Sequence, residues 1–294
     1  MTSGTSGTAL NEKPKKVLFY RHSLAVRITH WLNVLCLSFL LMSGLQIFNA
    51  HPHLYWGQYG ADALPDPAFL SIEAYADGDS MKGVTTIGPF QFTTTGVLGA
   101  SKMDGELTPR AFPSWLTIPS YQDLATGRRW HFFFAWFFVI NGFVYMLYGM
   151  VSRHFRRDLL PTRAELTPKH LAHEIAEHAR LRFPKGEEAR RYNSLQKLAY
   201  VGVGFILLPL MILTGLTMSP GFNAIFPWLL DVFGGRQSAR TIHFITASLI
   251  VAFVVVHVIM VLISGVWNNL RSMITGYYAI KVDPAPASKG EVSK

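Results

Sequence analysis

Residues 241–259 read TIHFITASLIVAFVVVHVI, an apolar run broken by His243 and His257. An ionisable side chain inside a membrane span is costly and marks function. The two histidines stand 14 residues apart. At about 100° per residue a helix turns about 1400° over that distance, about 40° short of four whole turns. Both imidazoles therefore leave the helix from nearly one face. A rise of about 1.5 Å per residue separates them by roughly 21 Å along the axis, most of a hydrocarbon core about 30 Å thick. One helix thus offers a nitrogen ligand near each membrane surface, and that geometry demands partners elsewhere.

Half of the 294 residues are hydrophobic and 15% are charged, below the roughly 25% of soluble domains. Length alone would suggest about two soluble domains, but four apolar stretches overrule it, at about 29–48, 130–151, 198–218 and 242–264. Each approaches the ~20 residues that a transmembrane helix needs. The first is too long for a cleavable signal peptide and lacks a small-residue cleavage site. The expected fold is an all-α integral membrane protein, a four-transmembrane-helix bundle.

Charge orients it. Five Lys/Arg and one acid precede residue 30, eleven Lys/Arg and six acids lie in 151–197, and four Lys/Arg follow residue 265. The 49–127 loop has three basic residues and eight acids. The positive-inside rule places both termini and the 152–197 loop in the cytoplasm, with the 49–127 and 219–241 loops outside. The net charge of +9 therefore reports topology, and nucleic acid is not an expected partner. The single cysteine, Cys36, lies within a span, which excludes an intrachain disulfide and a thiolate metal cluster. Composition makes residues 1–16 and 281–294 disordered tails around a membrane domain at 17–280.

The other histidines can be sorted by depth. Helix one runs outward, so His30 in RITHWLN lies near the cytoplasmic side. Helix two runs inward, so His131 in RRWHFFFAW lies near the outer side, as does His243, while His257 lies toward the cytoplasm. The depth-matched pairs are His131 with His243 and His30 with His257. A lone histidine in a span more often bonds a neighbouring helix; four in two matched pairs argue for shared ligands. Zinc would need carboxylates or thiols nearby. A porphyrin instead fits between apolar helices, and bis-histidine ligation suits electron transfer. Two haem b groups, one per pair, would form a relay across the bilayer. Gly44, Gly142, Gly202, Gly204 and Gly215 could admit a macrocycle or a close helix contact. Arg128 and Arg129 beside His131, and Arg27 near His30, are candidate partners for haem propionates or for lipid headgroups.

RITHWLNVLCLSFLLMSG, RRWHFFFAW, RYNSLQKLAY and the H-x13-H spacing of the fourth span resemble the cytochrome b subunits of nickel–iron hydrogenases, formate dehydrogenases and thiosulfate reductases, the bacterial cytochrome b561-like group. The resemblance covers roughly residues 17–280. It implies haem ligation at His30, His131, His243 and His257, in an inner-membrane subunit that passes electrons between a periplasmic oxidoreductase and membrane quinone. The long external loop departs from the hydrogenase members and resembles related cytochromes serving periplasmic molybdopterin enzymes of the sulfite-oxidase type; a hydrogenase or other dehydrogenase is the alternative partner.

That loop, rich in aromatics (Tyr55, Trp56, Tyr59, Phe69, Tyr75, Phe90, Phe92, Phe112, Trp115, Tyr121) and punctuated by Pro and Gly, reads as irregular with short elements and as a docking surface. His51 and His53 within it read as surface residues. In the cytoplasmic loop, His170, His173, Glu174 and His178 have metal-binding spacing, but a surface amphipathic helix explains the same pattern. Quinone is expected near the inner haem, with Arg21, His22, Asn33, Asn193 and Gln196 as candidates. Two rival readings remain: a stand-alone oxidoreductase passing electrons from a small reductant such as superoxide to quinone, and a haem-free anchor or transporter with a histidine proton relay.

Overall fold

The structure, a computed structural model, describes residues 15–60, 68–180 and 193–282. Four of its helical segments are long and apolar enough to cross a membrane: Leu24–Asn49, Leu124–Val151, Ser194–Thr217 and Arg236–Ile263. Each begins before the apolar stretch read from the sequence, because a helix does not stop where its hydrophobicity does. The helices in chain order are α1 (Leu24–Asn49), α2 (Leu124–Val151), α3 (Pro168–Ala179), α4 (Ser194–Gly202), α5 (Leu208–Thr217), α6 (Pro220–Ile225), α7 (Trp228–Val232), α8 (Arg236–Ile263) and α9 (Val266–Thr275). Between α4 and α5 the third span passes through a π-helical turn at Val203–Leu207. Pro209 follows directly and has no N–H for the helical ladder, and a wider turn before it absorbs that break.

The chain divides into two compact units, residues 1–27, 155–198 and 258–294 in one, and 28–154 and 199–257 in the other. The larger unit holds most of the spans and the segment between the first two. Cys36, Phe134 and Phe138 are buried there among Leu37, Phe39, Leu40, Leu208 and Ile212, joining α1, α2 and α5. Phe39 and Phe134 stack with ring centres 4.1 Å apart. Many apolar side chains on the spans remain exposed, Phe143 and Ile140 of α2 among them, as a lipid-facing surface requires.

The segment after α1 corrects the all-α expectation: the short elements read in this loop are strands, and they are ordered into a sheet and a hairpin rather than irregular. Strands β2 (His53–Leu54), β3 (Leu70–Asp77), β4 (Ser80–Ile87) and β5 (Phe90–Thr93) form an antiparallel sheet in that order. A hairpin of β6 (Ala100–Met103) and β7 (Glu106–Pro109) follows. Its turn residues, Asp104 and Gly105, both have positive φ, the requirement of a type I′ turn and the reason Asp-Gly is favoured there. Gly99 lets the hairpin close on the sheet: a Cβ would meet the Glu73 carbonyl at 2.3 Å and Gly83 Cα at 2.9 Å.

This β-domain is fastened to the helix ends. Arg110 is buried and donates to the carbonyls of Phe112 (2.9 Å) and Ser120 (2.8 Å), and to Thr117 Oγ1 at 3.0 Å. It reaches Gln46 Oε1 of α1 at 3.5 Å, and Asn49 Oδ1 accepts from the Phe112 N–H at 2.7 Å. Burial lowers the Arg110 pKa from its ordinary value. At the other edge, Thr241 donates to the Tyr55 carbonyl at 2.6 Å, and the N–H groups of Gln237 and Ser238 both donate to that of Gly57 at 3.1 Å. Phe48, Leu54, Ile72 and Ala111 form a shared core beneath, with Phe244 of α8 packed against it.

In the smaller unit, β1 (Lys15–Tyr20) pairs antiparallel with β8 (Tyr277–Val282), with Phe19 against Tyr278 and Tyr20 against Tyr277. Residues 15–16 and 281–282, assigned to disordered tails by composition, are thus the ends of a strand pair. The rest of those tails, 1–14 and 283–294, lies outside the described residues. α3 takes the expected amphipathic form, and His170 Nε2 lies 2.8 Å from Ser194 Oγ and 4.0 Å from Glu174. Among the described residues no three His, Cys, Asp or Glu side chains are grouped to hold a metal.

Candidate functional site

The larger unit brings four histidines into two facing pairs. His131 of α2 faces His243 of α8, with ring centres 6.4 Å apart and ring planes at 65°. His30 of α1 faces His257 of α8 at the same 6.4 Å, with planes at 61°. Different occupants of the gap between the rings require different spacings. A direct N–H···N hydrogen bond, about 2.9 Å between nitrogens, would hold the centres about 5 Å apart. Two metal–imidazole bonds of about 2.0–2.1 Å each, with about 1.1 Å from nitrogen to ring centre, hold them about 6.3 Å apart. Both pairs fit one metal atom between two axial imidazoles.

His131 and His243 are supported in parallel ways. Ser43 Oγ of α1 lies 3.1 Å from His131 Nδ1 and donates its own proton to the Phe39 carbonyl at 2.6 Å. Thr214 Oγ1 of α5 lies 3.0 Å from His243 Nδ1 and donates to the Leu210 carbonyl at 2.7 Å. A hydroxyl whose proton is spent on the backbone presents a lone pair, so each Nδ1 is the donor and each Nε2 is left bare for a ligand bond. The residue after each hydroxyl is a glycine against the same ring: a Cβ on Gly44 would approach His131 Cε1 to 3.3 Å, and one on Gly215 would approach His243 Cε1 to 3.3 Å. Ser43-Gly44 and Thr214-Gly215 are thus equivalent brackets on two different spans. Of the glycines singled out by sequence these two touch the site, whereas a Cβ on Gly142, Gly202 or Gly204 would meet nothing within 4 Å.

The His30–His257 pair is differently surrounded. Trp31 lies edge-on to His30 at 5.5 Å, and Phe253 stacks on His257 at 5.9 Å. Among the described residues no hydroxyl meets either ring. The nearby polar feature is Asn141 of α2, which is buried and donates to the Thr29 carbonyl and to Asn33 Oδ1, each at 2.8 Å. Asn33 is a residue singled out from the sequence, whereas its buried partner Asn141, mid-span on α2, is a signal that the sequence carried but the expected sites did not include.

The remaining candidates are distributed. Arg128 and Arg129 are exposed, with Arg128 5.6 Å over the Phe132 ring. Arg27, on α1 one turn before His30, donates to the Ile274 carbonyl while its Nε is buried without a partner. Arg21 lies 4.6 Å over the Tyr278 ring, and the His22 N–H donates to the Gly276 carbonyl at 3.3 Å. Asn193 and Gln196 cap α4 reciprocally, with Gln196 N–H to Asn193 Oδ1 at 2.8 Å and Asn193 N–H to Gln196 Oε1 at 3.4 Å. That is the arrangement of a capping box. In the β-domain, His53 Nε2 lies 3.0 Å from Glu73 Oε1, and Tyr75 donates to Glu73 Oε2 at 2.6 Å. Tyr59 and Trp115, by contrast, are more than 70% exposed.

A sequence model of the family described as prokaryotic cytochrome b561 matches residues 21–276. A protein of Azospira oryzae named "Putative protein-methionine-sulfoxide reductase subunit YedZ1" is 26% identical over 263 residues, covering 89% of this chain and 99% of the relative. No solved structure matches at a significant level. The family match runs through all four spans and all four paired histidines, and the chain belongs to the prokaryotic cytochrome b561 family.

Proposed function

We propose that this chain is a dihaem b-type cytochrome of the bacterial inner membrane that carries electrons between a periplasmic oxidoreductase and membrane quinone. His131 and His243 would hold one haem and His30 and His257 the other. The observation that carries this reading is the 6.4 Å spacing of both pairs, wide enough for iron and too wide for a direct proton relay. Haem, when bound between these histidines, would supply one-electron exchange. The chain's own residues do the rest. Ser43 and Thr214 orient the imidazoles of their pair, and the apolar spans keep water away. Arg27, with its partnerless buried Nε, is the candidate propionate partner on the cytoplasmic side; Arg128 and Arg129 are candidates on the other.

Charge asymmetry supports cytoplasmic termini and a periplasmic β-domain. That domain, folded onto the helix ends and carrying exposed aromatics, supports docking of a partner, a molybdopterin enzyme in the favoured case. The reductase named in the Azospira oryzae relative supports outward electron flow, from quinol to the periplasm. Of the quinone candidates Asn33 is the strongest, since Asn141 occupies its Oδ1 and leaves its amide N–H groups for a quinone carbonyl, while Asn193 and Gln196 already serve as a cap. Arg21 and His22 remain candidates at the cytoplasmic end.

Reduced-minus-oxidised spectra and haem quantitation on protein purified in mild detergent test the reading. About two b haems per chain support it; one haem removes one histidine pair from the assignment; none, after haem-sufficient expression, rejects it.

A further inference from the structure

Arg240 stands three residues before His243 on α8, and helical side chains lean toward the helix N-terminus, so its guanidinium extends beyond the His243 ring toward the β-domain. There it donates to the His51 carbonyl and lies 5.7 Å over the Phe48 ring. It is partly buried, and neither partner is an anion. Among the described residues no carboxylate pairs with it. The Tyr55 phenol is within electrostatic reach, but a phenol is not a carboxylate. The imidazole beside it is His51, whose pKa is lowered by burial, then by Arg240 and His53, so the neighbourhood is short of negative charge. A guanidinium drawn out of water calls for an anion, and carboxylate is its best geometric match. The same arginine-to-histidine spacing recurs at Arg27–His30 and Arg128–His131, but Arg128 is exposed.

We propose that Arg240, with His51 beside it, receives the propionate carboxylates of the haem held by His131 and His243, an inference that rests on the haem reading above. Arg240 is half-buried against the Phe48 ring, so a carboxylate there is less screened by water than at the exposed Arg128 and Arg129.

The test is a potentiometric titration, at a series of pH values, of the purified haem-loaded protein as wild type, Arg240→Gln, Arg240→Lys and Arg128→Gln. His131→Ala identifies the component that belongs to its pair. Removing a positive charge beside a haem disfavours the added electron. Arg240→Gln is therefore expected to move that component to a more negative potential and, by freeing a propionate to protonate nearer neutrality, to steepen its pH dependence. Arg240→Lys should retain most of the wild-type behaviour, and Arg128→Gln should move this component less than Arg240→Gln does. The proposal is overturned if Arg240→Gln leaves this component unmoved, or if Arg128→Gln moves it instead. Should Arg240→Gln fail to load this haem, recovery in Arg240→Lys supports the charge role, and failure in both assigns Arg240 to packing. Wild-type protein without two components would defeat the haem reading itself, which separates the two failures.

Discussion

The two histidine pairs have the same ring separation, yet the protein treats them differently. His131 and His243 are each held from behind by a hydroxyl and a glycine on a neighbouring span. His30 and His257 meet aromatic rings instead, with an asparagine pair close by in sequence and in space. The first arrangement fixes ring tautomer and rotation before any ligand arrives. The second fixes ring position and leaves Nδ1 without a protein hydroxyl. On the proposed haem reading, rigid orientation suits a pair that only passes electrons, and the asparagines near the other pair suit exchange with quinone.

The largest effect that could break this comparison is loss of a ligand. His131→Ala and His243→Ala should each remove the same spectral component and halve the haem per chain, while His30→Ala and His257→Ala remove the other. If His131→Ala and His257→Ala removed the same component, the pairing would be wrong. Next in size are the brackets. Ser43→Ala or Thr214→Ala should weaken haem retention at the first pair by about 10–100-fold, the usual cost of losing such a support, measured by haem transfer to an apoprotein acceptor. Neither should affect the second pair. Gly44→Leu should act more strongly than Ser43→Ala, because even its Cβ would sit 3.3 Å from His131.

A smaller effect concerns the β-domain on the helix ends. Arg110→Met leaves the Phe112 and Ser120 carbonyls and Thr117 without their donor. With about 1 kcal/mol for each hydrogen bond lost, the domain should lose about 3 kcal/mol of stability. Limited proteolysis within 68–123 would report it, and unchanged protection would show that Arg110 does not fasten the domain. The smallest expected effect is one of pH. Glu73 has a pKa below its ordinary value, chiefly because Tyr75 donates to it and also because His53 does. Its contribution is therefore present above the ordinary carboxylate range near pH 4.3 and disappears as pH falls through the lowered value. Glu73→Gln should flatten this acid-side loss of protease resistance, and an unchanged acid profile would remove Glu73 from the account.

Much of this was legible in the chain. The spans follow from hydrophobicity, a local property, and the H-x13-H spacing needs only helix geometry to put two histidines on one face near opposite ends of a span. Strand signals at Asp77-Gly78 and Asp104-Gly105 were equally local, but the density of Pro and Gly around them concealed a sheet whose alternating pattern is short. The β1–β8 pairing was harder: its strands are rich in Val, Ile, Phe and Tyr, yet more than 250 residues separate them, so neither predicts the other. Asn193 and Gln196 look like free polar groups until their mutual hydrogen bonds show them to be a helix cap.

The sequence by itself determined four membrane-length helices and the position of each of His30, His131, His243 and His257 along its helix, because periodicity and rise along a helix are set by backbone geometry alone. Only the tertiary structure decided that Ser43 stands behind His131 across 88 positions, that Thr214 stands behind His243, and that Arg240 turns toward His51. Those contacts depend on which faces the helices present to one another. Side-chain packing chooses these faces, and in spans this uniformly apolar the pattern of residues alone leaves that choice open.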